Sequence, residues 1–256
     1  MKKNPFDLTG KSAIVTGASS GLGKQFAIAL AEAGANVAIF ARRKQKLEET
    51  KEALIALGSD AIAVSCDVTD TKGIKKAIKE VEEKYGRIDI LVNNAGVATV
   101  SPSEIHTDEE WNRVINTNLN AVFFVAREVG KIMIDQKYGK IINIGSIHSN
   151  VAIPNLPITA YCASKGGVQM LTKALAVEWA KHNITVNAIG PSYFPTEMTD
   201  AALTSPAFQE QIKAQCPIGR TGRPEELDGA ILYFASDASS FTTGQLLSVD
   251  GGWTAI

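Results

Sequence analysis

Cysteine is scarce in this 256-residue chain: Cys66, Cys162 and Cys216 stand far apart and form no CxxC pair. That spacing argues against a disulfide framework and a zinc knuckle, so no metal site is expected and a reducing cytoplasm is the expected compartment. An excess of one charge is also missing, because 26 lysines and arginines face 27 acidic residues. The net charge of −1 supplies no field to gather nucleic acid or an anionic membrane, and neither partner is expected. No helical stretch approaches the ~18 apolar residues of a membrane span before a charge interrupts it. The start, MKKNPFDLTG, has two lysines with no apolar segment behind them, so no secretory signal is expected. Linkers, internal repeats and low-complexity tracts are absent as well. With 45% hydrophobic residues, the chain suits one sizeable core, a single domain over 1–256.

What is present is an alternation of short β-branched runs with longer amphipathic ones. SAIVT (12–16), NVAIFA (36–41), AIAVSC (61–66), IDILVN (88–93), KIINIGS (140–146), ITVNAI (184–189) and QLLSV (245–249) read as strands. Between them lie helical patterns over 23–34, with Gly34 as stop signal, then 44–58 and 70–85. Thr107 and Glu110 form a capping-box pattern that opens a helix running past Gly130. Further helices are expected near 160–181 and 224–236. Strands that are apolar on both faces and separated by helices predict a parallel seven-stranded sheet covered on each side, a doubly wound Rossmann-type α/β domain. Ligands of such sheets sit beyond the carboxyl ends of the strands.

The first strand is followed by TGASSGLG (16–23), in which Gly17, Gly21 and Gly23 allow a tight turn and close backbone approach to a phosphate at a helix N-terminus. The spacing is G-x-x-x-G-x-G, so the common G-x-G-x-x-G fingerprint does not apply. A flexible strand–helix turn would carry the same letters. The second strand ends in FARRK, with Arg42 where a ribose-binding carboxylate would stand. An arginine there accepts a 2′-phosphate that a carboxylate would repel, which favours NADP(H) over NAD(H). Arg43 and Lys44 would assist or simply be solvated.

Tyr161 and Lys165, in AYCASKGGV (160–168), are four residues apart and share a helix face if the helix begins by about residue 158. A cation beside a phenol favours the phenolate and lowers a pKa that is ordinarily ~10. Such a pair exchanges a proton with a carbonyl or hydroxyl oxygen, whereas an isolated YxxxK is more often a tyrosine packed on a lysine stem. Ser146 ends a buried strand and would polarise that oxygen, with Ser149 as a competitor for the role. NNAG (93–96) follows the fourth strand, and Asn118 lies inside a long helix, where an asparagine is not a preferred helix former. Trp111 and Trp179 read as packing residues.

TGASSGLG, NNAG, SKGGV behind Tyr161 and TGQLLSVDGG occur in order and spacing, and with them the chain resembles the short-chain dehydrogenase/reductase family from Thr9 to Trp253. The resemblance implies catalytic roles for Asn118, Ser146, Tyr161 and Lys165. Tyr161 would be the general acid/base, and Lys165 would lower its pKa and hold the nicotinamide ribose. Ser146 would hold the substrate oxygen, and Asn118 a water linking Lys165 to solvent. It also implies cofactor contacts at Gly17, Ser19, Ser20, Gly21, Leu22 and Gly23. Further contacts would come from Asp67 and Val68 at the adenine, Asn94, Ala95 and Gly96 mid-channel, and Pro191 and Thr196 near the nicotinamide, with Tyr161 and Lys165 themselves. Two departures stand out. Pro191-Ser192 replaces the family's Pro-Gly, and the Ser146–Tyr161 interval is about two residues longer than the family implies.

Substrate contacts are expected at Ser146, Tyr161 and His148, although loop exposure is the simpler reading of His148 and Asn150. The segment 192–217 would form a lid that mixes Tyr193, Phe194 and Met198 with Glu197 and Gln209. IHSN and GPSYFPTEMT are similar to those of gluconate 5-dehydrogenase-like members of the family. The expected activity is NADP(H)-dependent interconversion of a secondary alcohol and a ketone on a sugar acid or polyol such as gluconate/5-ketogluconate. A 3-oxoacyl-[acyl-carrier-protein] reductase is the alternative within the class, and a non-catalytic dinucleotide-binding scaffold or sensor the alternative outside it. The apolar runs AVFFVA and WTAI are candidate association surfaces, and the resemblance implies a homotetramer.

Overall fold

The computed structural model describes residues 4–256. Seven strands form among them: β1 (Ser12–Thr16), β2 (Asn36–Ala41), β3 (Ala61–Ser65), β4 (Ile90–Asn93), β5 (Gly139–Ile144), β6 (Ile184–Pro191) and β7 (Leu246–Val249). All their pairings are parallel, in the order β3-β2-β1-β4-β5-β6-β7. Consecutive residues of one strand enter opposite layers, as a pleated strand requires. Ala13 and Val15 join a core layer with Phe26, Leu30, Ile231 and Phe234. Ile14 joins the other layer, with Ile78, Val129, Met133, Leu175 and Trp179. A strand buried on both faces reads as an uninterrupted apolar run, which is why these elements were visible in the sequence.

The first layer is built by α1 (Gly21–Glu32), α2 (Lys44–Ala56) and α9 (Asp228–Ala235). The second holds α3 (Thr71–Tyr85), α5 (Ala121–Gln136) and α6 (Thr159–Trp179). The strand order reverses between β1 and β4, and the crevice beyond their carboxyl ends is the ligand position of a doubly wound sheet.

The long helix expected after Thr107 starts as expected. The Thr107 hydroxyl accepts the Glu110 N–H at 3.2 Å and the Glu110 carboxylate accepts the Thr107 N–H at 3.2 Å, closing the capping box of α4 (Asp108–Ile115). It does not continue unbroken. A π turn over Asn116–Asn120 separates α4 from α5 and carries Asn118. Such insertions concentrate at functional sites because they re-aim one side chain without ending the helix. The last helix expected over 224–236 divides into a single 3-10 turn, Pro224–Leu227, and α9.

The segment 192–217 contains α7 (Asp200–Leu203) and α8 (Pro206–Gln215). Ile212 and Cys216 from it pack with Ile147, Ile153 and Trp253, joined by Tyr193, Leu203 and Phe208, in a small apolar cluster of their own. Trp253 is therefore buried rather than part of an exposed WTAI surface. Trp111 also departs from its packing role: it is 39% exposed and meets His106 edge to face.

Trp179 does pack, against Gly130 of α5, where an added Cβ would come within 2.8 Å of the indole. Gly130→Ala gains up to ~1 kcal/mol of helix propensity but drives a methyl group into a buried, rigid ring, a change costing ~1–3 kcal/mol. The expected result is a net loss of stability, read as a lower denaturation midpoint in urea with an unchanged slope.

Candidate active site

The floor of the crevice is made where β5 ends and α6 begins. Pro157 precedes α6 and Thr159 opens it, so Tyr161 and Lys165 fall one turn apart on the same face, as expected. Lys165 is buried, and its Nζ donates to the Ile144 carbonyl at the end of β5, at 2.6 Å. The same ammonium stands 5.5 Å from the centroid of the Tyr161 ring. The Ser146 hydroxyl accepts the His148 N–H at 3.2 Å and acts on the Tyr161 phenol by lowering its pKa. Ser149 faces elsewhere, its hydroxyl donating to the Lys165 carbonyl at 2.9 Å and accepting the Ser146 N–H at 3.3 Å. Of the two serines, only Ser146 lines the cleft.

Burial governs the charges here. It pushes the Lys165 ammonium down to about 8 and pushes the Tyr161 phenol up, the Ser146 hydroxyl opposing it only in part. The sequence led us to expect a phenol made acidic by its lysine. In the structure desolvation raises the phenol's pKa, and the ammonium is directed at the Ile144 carbonyl.

Asn118 is fully buried and does not line the cleft. Its Oδ1 accepts the Val97 N–H at 2.8 Å, and its Nδ2 donates to the Val97 carbonyl at 2.8 Å and to the Ser164 hydroxyl at 3.1 Å. The side chain thus fixes the 94–97 segment against α6. Gly96 sits at that junction, where an added Cβ would lie 3.4 Å from Asn118 Oδ1 and 3.9 Å from Lys165 Nζ. His148, expected either as a substrate contact or on an exposed loop, is instead buried and does not line the cleft. Its Nδ1–H donates to the Val151 carbonyl at 3.1 Å, which leaves Nε2 to accept from the Tyr193 hydroxyl at 3.4 Å. The imidazole ring meets Tyr161 edge to face at 5.9 Å, and burial pushes its pKa down, so it is a neutral support for the phenol. Asn150 is exposed, as the loop reading had it.

Two supports were not singled out in the sequence. Asn93 Nδ2 donates to Asn143 Oδ1 at 3.0 Å, and Asn143 Nδ2 donates to Thr172 at 2.9 Å, a buried polar line joining β4, β5 and α6. Thr16 accepts the Asn94 and Ala95 N–H groups at 3.0 and 3.1 Å, and Asn94 Nδ2 returns a bond to the Thr16 carbonyl at 3.0 Å. An asparagine inside the apolar run IINIGS was the available signal for the first.

The cleft, about 580 Å³, runs from Tyr161 and Ser146 past the glycine loop to the end of β2. Gly17, Ser19, Ser20, Gly21, Leu22 and Gly23 line it, as do Arg42, Asp67, Val68, Asn94, Ala95, Gly96, Pro191 and Thr196. Every residue expected to contact a cofactor therefore meets in one groove. The N-terminus of α1 opens on it with no side-chain cap and no acidic residue in the first turn, leaving donors and a favourable field for an anion. A dinucleotide with a phosphorylated ribose fits this donor set.

The arginine that faces the glycine loop is Arg43, not Arg42. Its NH2 donates to Ser19 at 3.0 Å and Ser20 at 2.7 Å, and its NH1 to Glu197 at 2.7 Å. The Arg42 side chain is 73% exposed and reaches only Asp67, at 4.0 Å. Burial opposes the charge on Asp67, but the Thr69 N–H and hydroxyl, helped by Arg42, outweigh it and hold the carboxyl below its ordinary value. Lys46, one turn into α2, joins Arg43 on Glu197 at 2.5 Å. At the departure from Pro-Gly, β6 simply continues through Pro191, with the Ser192 N–H reaching the Val249 carbonyl at 3.4 Å. Ser192 is not among the residues with positive φ, so the position makes no demand for glycine.

The family model described as enoyl-(acyl carrier protein) reductase matches residues 17–254. The gluconate 5-dehydrogenase of Gluconobacter oxydans (strain 621H) is 41% identical, over 97% of this chain and 96% of its own. The solved structure of a gluconate 5-dehydrogenase from Burkholderia cenocepacia J2315, in complex with NADP and tartrate, superposes with a TM-score of 0.95 at 39% identity, covering 98% of each chain. The chain belongs to the short-chain dehydrogenase/reductase family. Within that family a 3-oxoacyl-[acyl-carrier-protein] reductase of Staphylococcus aureus also reaches 40% identity, over 94% of this chain and 97% of its own, so identity alone does not separate sugar acids from acyl thioesters.

Proposed function

We propose that the protein is an NADP(H)-dependent oxidoreductase that interconverts a secondary alcohol and a ketone on a sugar acid, gluconate and 5-ketogluconate being the reference pair. The observation that carries this reading is the meeting of Ser146, Tyr161 and Lys165 at one end of a groove whose other end presents Arg43, with Lys46 behind it on Glu197. Held along the groove, NADP(H) would supply a hydride for the carbonyl carbon or take one up in the reverse direction. Gly17, Ser19, Ser20 and Gly21, with the first turn of α1, would hold the pyrophosphate, and Arg43 with Lys46 the 2′-phosphate.

The chain's own residues do the rest. Ser146 donates a hydrogen bond to the substrate oxygen and steadies the charge that develops there. Tyr161, held protonated by burial, transfers its hydroxyl proton to that oxygen as the ketone is reduced. The phenolate left behind is stabilised by the Lys165 ammonium, whose Nζ stands 5.5 Å from the ring centroid. In oxidation the steps reverse: Tyr161 must first lose its proton, so alcohol oxidation rises with pH while the phenol titrates. Asn118 acts through Val97 and Ser164, holding the segment that carries Gly96 beside Lys165.

The sugar-acid choice is supported by the gluconate 5-dehydrogenase relatives. Tyr193 meets His148, Phe208 and Trp253 edge to face in the cluster that backs Tyr161. The segment 192–217 is the lid over this end. A binding protein without turnover would have little use for an ammonium buried beside a phenol. The three free thiols favour a reducing, cytoplasmic location. A homotetramer is supported by Phe123 on α5 and by Met170 and Val177 on α6, 65% and 83% exposed. Sedimentation equilibrium is expected to give four times the chain mass, and a monomer mass would reject the assembly.

Tyr161→Phe is expected to lower kcat by at least ~10²-fold while NADP(H) affinity, measured by fluorescence titration, stays within about twofold. In a panel of 5-ketogluconate, other keto-sugars and acetoacetyl thioesters assayed with NADPH, turnover is expected on the keto-acids. Turnover confined to the thioesters would instead establish an oxoacyl reductase. Cofactor binding with no hydride transfer to any carbonyl would establish a scaffold or sensor.

A further inference from the structure

Glu197 plays no part in the proton chemistry at Tyr161, yet it ties two distant parts of the groove together. Its Oε2 accepts from Arg43 at 2.7 Å and from Ser20 at 3.2 Å, and its Oε1 accepts from Lys46 at 2.5 Å. Arg43 and Lys46 lie just after β2, and Ser20 at the N-terminus of α1. Glu197 belongs to the segment after β6 and stands next to Thr196, which faces Gly21 closely enough that an added Cβ there would lie 3.3 Å away. The contact is thus a strap across the crevice, fastened at the end remote from Tyr161.

The donors it uses are those a phosphate monoester needs: a guanidinium, an ammonium and a hydroxyl, converging from two elements. A phosphate brings ≈ −1.5 to −2 charge, and it cannot share these donors with a carboxylate without strong like-charge repulsion. We infer that Glu197 is an internal competitor for the 2′-phosphate of the cofactor, seated on Arg43, Lys46 and Ser20, so that phosphate binding releases the 192–199 strap. This inference rests on the NADP(H) reading above. A half-exposed ion pair contributes little to stability, so a dianion displaces it readily. A dinucleotide lacking the 2′-phosphate leaves Glu197 in place, and the strap with it. Glu197 thereby sets the threshold for cofactor entry and links occupation of the ribose end to movement over the substrate end.

The test uses two probes, 2′,5′-ADP and 5′-AMP, titrated calorimetrically into the wild-type protein, Glu197→Gln and Arg43→Ala, with limited proteolysis of the 199–215 region alongside. Glu197→Gln is expected to bind 2′,5′-ADP about tenfold more tightly than wild type, with 5′-AMP changed by less than about twofold. It is also expected to be cleaved faster in that region, and 2′,5′-ADP should bring wild type to the same rate. Equal or weaker 2′,5′-ADP binding by Glu197→Gln overturns the inference, as does an equal gain for 5′-AMP. The cofactor reading has its own readout: wild type prefers 2′,5′-ADP to 5′-AMP, and Arg43→Ala loses that preference. If the preference holds and Glu197→Gln gains nothing, only the competitor role fails. If no variant distinguishes the probes, both fail.

Discussion

The ammonium of Lys165 is buried in the protein interior with its Nζ on the Ile144 carbonyl, and much of the crevice is arranged around that one bond. Taking an ammonium out of water is expensive unless polar groups receive it. The end of β5 supplies a carbonyl, and the incomplete compensation appears as a pKa pushed down to about 8. The consequences spread outward. Fixing Lys165 on β5 fixes the rotation of α6, which puts Tyr161 one turn earlier over Ser146. The line from Asn93 through Asn143 to Thr172 holds the same helix against the same strands from further inside. A Cβ added at Gly96 would touch both the Asn118 amide and the Lys165 ammonium, lying 3.4 Å from Asn118 Oδ1 and 3.9 Å from Lys165 Nζ.

The two ends of the groove are built on different electrostatic terms. Around Tyr161 and Lys165 the groups are shielded, each is displaced from its ordinary pKa by burial, and a proton transfer there changes charge in a medium that screens it weakly. At the end of β2 the charges are exposed and numerous: Arg42, Arg43, Lys46, Asp67 and Glu197 stand in or near water. Individual pairs there contribute little to stability, which suits a surface that must exchange one anion for another. Glu197 is held down to about 2 by Lys46 and then Arg43, so its carboxylate stays ionised at any physiological pH.

Most of the fold was legible because a parallel sheet buries its strands on both faces, leaving apolar runs such as NVAIFA that have no competing reading. The groove was legible because its parts follow strand ends in fixed order. Three features were not. The π turn at Asn116–Asn120 leaves the helical pattern on either side intact, so nothing in the letters separates it from a continuous helix. Arg42 lies in the bend that follows β2 and Arg43 on the extended residue that caps α2, and only the path of the chain decides which one turns to the glycine loop. The buried state of His148 depends on Tyr161 and Tyr193, the latter 45 residues away, closing on a loop whose prolines suggest exposure. Tyr161 gives the broadest lesson: a neighbouring lysine is visible in sequence, whereas the desolvation that opposes it is a property of the packed site.

The account turns on the charge of Lys165 being spent on the phenolate of Tyr161, and a pH–rate profile tests this most directly. Ketone reduction is to be followed from pH 6 to 10 in the wild-type protein and in Lys165→Met, whose side chain keeps the bulk and loses the charge. A lysine whose pKa is depressed to about 8 is charged below that pH and neutral above it. The wild-type rate should therefore hold at low pH and fall as pH rises through about 8, whereas Lys165→Met should be slow throughout and lack that falling limb. The same descending limb at the same pH in Lys165→Met would assign it to another group and remove the ammonium from the chemistry.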